Sequence, residues 1–261
     1  MRALRGGQAV IVGLEELNLD EFPSLRAVGC NMTGTDHLPE EEMKKRGIKL
    51  ISLKGETEFL QTITSTAEHT IGLIIALLRN YKTALNGPYK DRETYKGHTL
   101  RGKTLGIIGY GRVGKQVKKL ADAFGMAVFP LDTSFQNIHS NEIRMCMGAD
   151  IVSIHIPLSG NEGHFTRAMF EEMRPTSYFI NTSRSGVVEK GALLWALENK
   201  KIAGAAVDFV DDEELVHYAR DHDNLILTPH LGGCTYEDME RTEKFIEEKV
   251  EEYLKQTNLK T

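Results

Sequence analysis

The stretch "TLGIIGYGRVGKQVKKLADAFGMAVFPLD" constrains this chain more than any other. Gly109, Gly111 and Gly114 form GxGxxG, a pattern that means little until its surroundings are read. An apolar run precedes it and a helical pattern begins near Arg112. A second apolar run, "MAVFPLD", ends in Asp132 about 20 residues on, which completes the strand, turn, helix and strand of a dinucleotide site. Each residue then has a physical task. Gly109 permits a tight turn, Gly111 lets backbone approach a pyrophosphate at the positive end of a helix, and Gly114 allows close packing of helix on strand. Asp132 would accept hydrogen bonds from an adenosine ribose and repel a 2'-phosphate, while Thr133, Ser134 and Phe135 after it offer no cation to receive one. NAD is therefore expected rather than NADP. The plainer alternative is a set of glycines that serve only a strand-to-helix turn.

The rest of the chain repeats the alternation. "QAVIVG", "LRAVGC", "IKLISL", "DIVSIHIP", "SYFINTS", "IAGAAVDF" and "NLILT" read as further strands separated by helical stretches, the signature of parallel sheets covered by helices. The period breaks once. "TSTAEHTIGLIIALLRNY", from Thr64 to Tyr81, reads as one long apolar helix, and "KTALNGPYKDRETYKGHTLRG" after it is polar and aperiodic. That change sets the expected boundary: residues 1–82, completed by an amphipathic terminal helix within 236–261, form one domain, and 83–235 the dinucleotide domain.

Composition narrows the function classes. With 32 basic and 37 acidic side chains interspersed, and a net charge of −5, the chain has no basic field to hold a nucleic acid. The opening "MRALRGGQAVIVG" has no signal-peptide pattern, and no apolar run approaches the ~18 residues of a membrane span, so a cytoplasmic protein is expected. Cys30, Cys146 and Cys234 lie far apart without CxxC spacing, which suggests neither a disulfide framework nor a metal site.

Two further stretches carry residues with chemical reach. In "FINTSRSGVV" a strand ends near Arg184, where open parallel sheets place ligands, and a guanidinium there could grip a carboxylate through two parallel hydrogen bonds. In "LTPHLGG", His230 follows a strand and a proline. An imidazole with an ordinary pKa near ~6.5 can hold or release a proton at cellular pH. Each could equally be a solvated loop residue.

Taken in order, "GYGRVG", Asp132, "ADIVSIHIP", "INTSRSG", "AAVDF" and "LTPHLGG" resemble the D-isomer specific 2-hydroxyacid dehydrogenase family. The resemblance implies a Rossmann-type parallel-sheet domain plus a flavodoxin-like substrate domain, a homodimer, and hydride transfer between NAD(H) and a small 2-hydroxy or 2-oxo acid. It further implies a catalytic arginine, glutamate and histidine. Arg184 and His230 match two of these. Counting on from Asp208 gives Glu213 for the third, although no proline follows it and Glu214 is the alternative. By the same resemblance Arg112, Val113, Pro157, Thr182, Ser183, Asp208, Gly232 and Gly233 line the cofactor, with His155 either shaping that wall or packed as a satisfied polar residue. The homodimer is expected on the helix from Thr66 and the polar arm after it, because "IGLIIALL" is too apolar to leave one helix face exposed.

The departures bear on substrate. Members carry a further strand and helix at the front of the substrate lobe, so that lobe reads as truncated here. Members acting on phosphorylated acids use arginines in the loop where this chain has "GLEELN", with Glu15 and Glu16, so an unphosphorylated acid is expected. An unfinished lobe also keeps a second class open, an NAD-binding sensor or interaction module with little catalysis.

Overall fold

The computed structural model describes residues 1–90, 92–132 and 140–258. The chain separates into two compact units, Met1–Ile63 with Cys234–Thr261, and Thr64–Gly233. By packing, the boundary falls at Thr64, one helix earlier than the change of composition after Tyr81.

The smaller unit is a four-stranded sheet in the order of its strands: β1 (Arg2–Leu4), β2 (Ala9–Val12), β3 (Ala27–Cys30) and β4 (Lys49–Ser52). Strands β2 to β4 run parallel and β1 pairs antiparallel to β2. Short helices α1 (Glu40–Lys45) and α2 (Thr57–Gln61) link and follow these strands. One sheet face, with Val10, Val12, Val28 and Cys30, buries against Leu17, Leu25, Leu38 and Met43. The other receives the long helix α10 (Tyr236–Asn258) through Ile246, Val250 and Leu254, residues spaced to share one helical face. Gly29 makes that approach possible, since a Cβ there would lie 2.6 Å from Ile246 Cγ2.

The larger unit begins with α3 (Ser65–Leu78) and α4 (Tyr81–Asn86). Its core is a sheet of six strands, β5 (Thr104–Ile108), β6 (Ala127–Leu131), β7 (Ile151–Ile154), β8 (Tyr178–Asn181), β9 (Gly204–Asp208) and β10 (Leu225–Thr228), between helices α5 (Arg112–Ala123), α6 (Ser140–Met147), α7 (Arg167–Glu171), α8 (Ala192–Glu198) and α9 (Glu213–Asp221). All pairings are parallel, in the order β10-β9-β8-β7-β5-β6. Such strands are covered on both faces, which is why β5, β7 and β9 are nearly unbroken apolar runs. On one face Phe165, Phe170 and Phe179 meet with ring centroids 4.7–5.1 Å apart, each pair adding about 0.5–1.5 kcal/mol beyond its buried area. On the other, Ile71, Ile74 and Leu78 of α3 and Val117 and Ala121 of α5 cover Leu105 and Ile107.

The helix expected from Thr64 to Tyr81 is divided. Asn80 takes a left-handed φ of 52° between α3 and α4, a conformation that asparagine tolerates better than most residues, and its Nδ2 donates to the Lys96 carbonyl at 2.9 Å. Most apolar side chains of α3 are buried within their own unit, with Ile75 and Ala76 half-buried, whereas Tyr81, Leu85 and Tyr89 just beyond it are exposed. No helix among the described residues is long and apolar enough to cross a membrane.

Candidate active site

The sheet order reverses at β5, which sends β6 to one side and β7 to the other. In open α/β sheets ligands bind at such a switch point, outside the carboxyl ends of the strands. Every candidate but Glu213 follows or occupies one of those ends: Gly109 after β5, Asp132 after β6, Pro157 after β7, Thr182 to Arg184 after β8, Asp208 closing β9, and His230 to Gly233 after β10. Glu213 stands further on, at the start of α9.

The glycine turn has the geometry its pattern requires. Gly109 sits at φ 93°, and a Cβ there would lie 2.6 Å from the His155 carbonyl oxygen. A Cβ on Gly114 would lie 2.3 Å from the Gly109 oxygen. At Gly111, the N-cap of α5, a Cβ would meet nothing within 4 Å, and no side chain caps the helix. The first turn therefore presents its amides to open space, a cradle that suits a pyrophosphate. Asp132 is exposed beyond β6, while Thr133, Ser134 and Phe135 lie outside the described residues. Gly109→Ala should destabilise the unit by about 3 kcal/mol, roughly 6–12 °C in melting temperature, through the positive φ and the clash with His155 and Ile156 just after β7. Differential scanning fluorimetry checks this, and an unchanged melting temperature would mean that the turn accepts a methyl.

Beneath the cradle runs a chain of ordered hydroxyls. Thr70 donates to the Thr66 carbonyl at 2.7 Å, so the 2.9 Å contact between Thr70 Oγ1 and Thr182 Oγ1 is a donation from Thr182. Thr182 has then used its proton, and His155 Nδ1 at 3.5 Å is the donor to it, while Ser153 donates to His155 Nε2 at 2.9 Å. Burial pushes the His155 imidazole down to about 4, so the ring stays neutral and serves as a fixed link. Asn181, also buried, fixes the next loop. Its oxygen accepts from the Ser183 amide and hydroxyl, and its Nδ2 donates to the Arg184 carbonyl at 2.9 Å. Arg184 is half-buried and donates through Nη1 to the Ser183 carbonyl at 3.1 Å.

Asp208 clamps the histidine loop. Its Oδ1 accepts from Thr228 Oγ1 at 2.6 Å and from the Leu231 amide at 2.7 Å, and its Oδ2 accepts from the Gly232 amide at 2.7 Å. Burial alone would raise this carboxyl; hydrogen bonds from His69, Thr228, Leu231 and Gly232 outweigh burial and hold it at about 2. His230 has φ 59° and Phe209 φ 86°, two non-glycine residues in left-handed conformations whose rings stand 5.2 Å apart. Such backbone costs about 1–3 kcal/mol per residue and persists where the surroundings over-determine it.

Among the described residues Glu213 takes no part in these contacts. It opens α9 as an exposed residue behind Asp212, whose side chain caps the helix by accepting from the Glu214 and Leu215 amides. Among the described residues no hydrogen bond joins Glu213 or Glu214 to His230. Sequence reasoning passed over His69, Thr70, Ser153, Asn181 and Thr228. For His69 and Thr70 a signal was available in α3, where Thr66, His69 and Thr70 are polar interruptions of an apolar helix at the i, i+3, i+4 spacing of one face.

Known proteins share this fold and sequence. The family model for the D-isomer specific 2-hydroxyacid dehydrogenase NAD binding domain matches residues 71–232, and the chain belongs to that family. It is 34% identical over 251 residues to D-3-phosphoglycerate dehydrogenase of Bacillus subtilis, covering 90% of this chain and 46% of that protein. It is 32% identical over 242 residues to glyoxylate reductase of Thermofilum pendens, covering 85% and 70%. A D-lactate dehydrogenase from Aquifex aeolicus, solved with NAD and lactic acid, has the same fold: TM-score 0.75, 24% identity, 97% of this chain and 84% of that one. Solved relatives hold NAD or NADPH. The chain spans about half the length of the first curated relatives it matches.

Proposed function

We propose that the protein interconverts a small 2-oxo acid and its D-2-hydroxy acid with NAD(H). The observation that supports this reading is that Arg184, Asp208 and His230 stand at the carboxyl ends of the neighbouring strands β8, β9 and β10, in the sheet whose β5 leads into the glycine cradle. The bound dinucleotide supplies or accepts the hydride. Arg184 grips the carboxylate of the acid with paired hydrogen bonds and orients its carbonyl. His230 gives a proton to the carbonyl oxygen as negative charge develops there, and in the reverse direction neutral His230 takes the hydroxyl proton. Asp208 and Thr228 hold the loop that carries it. Glu213 is assigned as the partner of the imidazole on its place in the chain alone. Its exposure at the start of α9 supports a second reading, dinucleotide binding with little catalysis.

Asp132 beyond β6 supports NAD over NADP. NADH should bind at least about tenfold more tightly than NADPH, since like charges brought together cost several kcal/mol. Calorimetric titration with both dinucleotides tests this, and equal affinities would remove the assignment. Glu15 and Glu16, in the loop after β2, support an unphosphorylated acid, whereas the similarity to phosphoglycerate dehydrogenases weighs for a phosphorylated one. A homodimer is also proposed, now on Tyr81, Leu85 and Tyr89, because most apolar residues of α3 are covered within the chain. Light scattering at micromolar concentration should give twice the chain mass, and Leu85→Glu should shift it toward the monomer. A monomeric mass before substitution would remove the dimer.

A further inference from the structure

His69 lies on α3, far in sequence from the loop that carries His230, yet its Nε2 reaches the polar link beneath that loop. It stands 3.2 Å from Thr228 Oγ1 and 3.5 Å from Asp208 Oδ1. A threonine hydroxyl has one proton, and Thr228 gives it to Asp208 at 2.6 Å. Both atoms that face Nε2 therefore present lone pairs, and Nε2 must carry hydrogen. The result is a directed line: His69 Nε2–H to Thr228 Oγ1–H to Asp208 Oδ1, which also receives the Leu231 amide, while Oδ2 receives the Gly232 amide. The two amides follow His230 directly. A few hydrogen bonds of this kind are what holds a non-glycine residue at φ 59°.

We infer that His69 is a positioning residue for the acid–base step, acting through Thr228 and Asp208 to hold His230 in its strained conformation. The inference rests on the reading of His230 as the group that moves the proton. His69 touches neither reactant nor dinucleotide in this role, and its donor, not its basicity, is what the line requires. A glutamine can place an amide N–H where Nε2–H stands, whereas leucine fills similar space and offers no donor.

The experiment compares His69→Leu and His69→Gln, each alone and combined with His230→Ala. In His69→Leu, kcat for reduction should fall on the order of tenfold with KM for NADH unchanged. Amide hydrogen exchange at Leu231 and Gly232 should quicken by about tenfold in the protein without ligand. His69→Gln should recover most of both. In the His230→Ala background His69→Leu should cost nothing further, because the group it positions is gone. Thr228→Val, which breaks the middle of the line, gives the same two readouts if His69→Leu does not fold. Wild-type exchange and kcat in His69→Leu, equal losses in the leucine and glutamine variants, or an undiminished cost in the His230→Ala background would each overturn the inference. If His230→Ala itself keeps full turnover, the acid–base reading fails, and exchange at Leu231 and Gly232 still decides whether the line from His69 holds the loop.

Discussion

His230→Ala is expected to lower the rate of 2-oxo acid reduction on the order of a thousandfold, in line with the 10²–10⁴ that a positioned proton donor contributes. Oxidation of the hydroxy acid should fall with it, because the same imidazole must take the proton. NADH affinity should change by no more than about twofold, since the cradle at Gly111 lies on a different strand end. In the unaltered protein reduction uses the protonated imidazole and oxidation the neutral one, so raising the pH should slow reduction and spare oxidation. Glu213→Gln tests the family assignment directly: a fall moved to lower pH makes Glu213 the carboxylate that favours the imidazolium. Glu214→Gln is the control: a profile moved by Glu214→Gln alone reassigns the partner by one residue, and a profile moved by neither leaves His230 without a carboxylate partner from α9.

Arg184→Lys carries the second large effect. The charge survives but the planar fork does not, and lysine cannot make two parallel hydrogen bonds to one carboxylate. We expect kcat/KM for the acid to fall on the order of a hundredfold, the size of effect that follows when a desolvated, hydrogen-bonded charge pair is impaired. Cofactor binding should stay close to that of the unaltered protein. The loop itself should survive, because Asn181 holds the Arg184 carbonyl and the Ser183 amide through the backbone, not through the guanidinium. Unchanged steady-state kinetics with every accepted acid would show that another residue anchors the carboxylate.

Much of the larger unit was legible before its structure because parallel strands are covered on both faces and so leave unbroken apolar runs. β5 to β10 all lie within stretches readable as strands, and the glycine pattern located the turn at Gly109. The terminal helix was readable for a related reason, its apolar residues recurring at helical spacing. β1 was not legible, being three residues long without alternation. Nor was the break at Asn80, since an asparagine that adopts positive φ looks the same in sequence as one inside a helix.

At the site, residue types were easier to read than partnerships. Arg184 and His230 stand on loops that leave strand ends, as their neighbours in sequence implied. Asp208, read through the family as a cofactor-lining residue, spends both oxygens on the loop of residues 228–232, a role set by long-range contacts that no local pattern encodes. Glu213 is the converse case. Its count from Asp208 was all that sequence offered, and the start of a helix capped by Asp212 directs it to solvent. His69 was hidden in a helix whose apolar residues dominated its reading.

Catalysis at the cradle, as opposed to dinucleotide binding alone, is read from the absorbance of NADH followed with a panel of 2-oxo acids (glyoxylate, hydroxypyruvate, pyruvate, longer-chain, sugar-derived and phosphorylated acids), with His230→Ala run beside the unaltered protein. NADH should be consumed with at least one small unphosphorylated acid, and that consumption should be lost in His230→Ala. Tight NADH binding with no consumption for any acid in the panel, or equal consumption in His230→Ala, would contradict it.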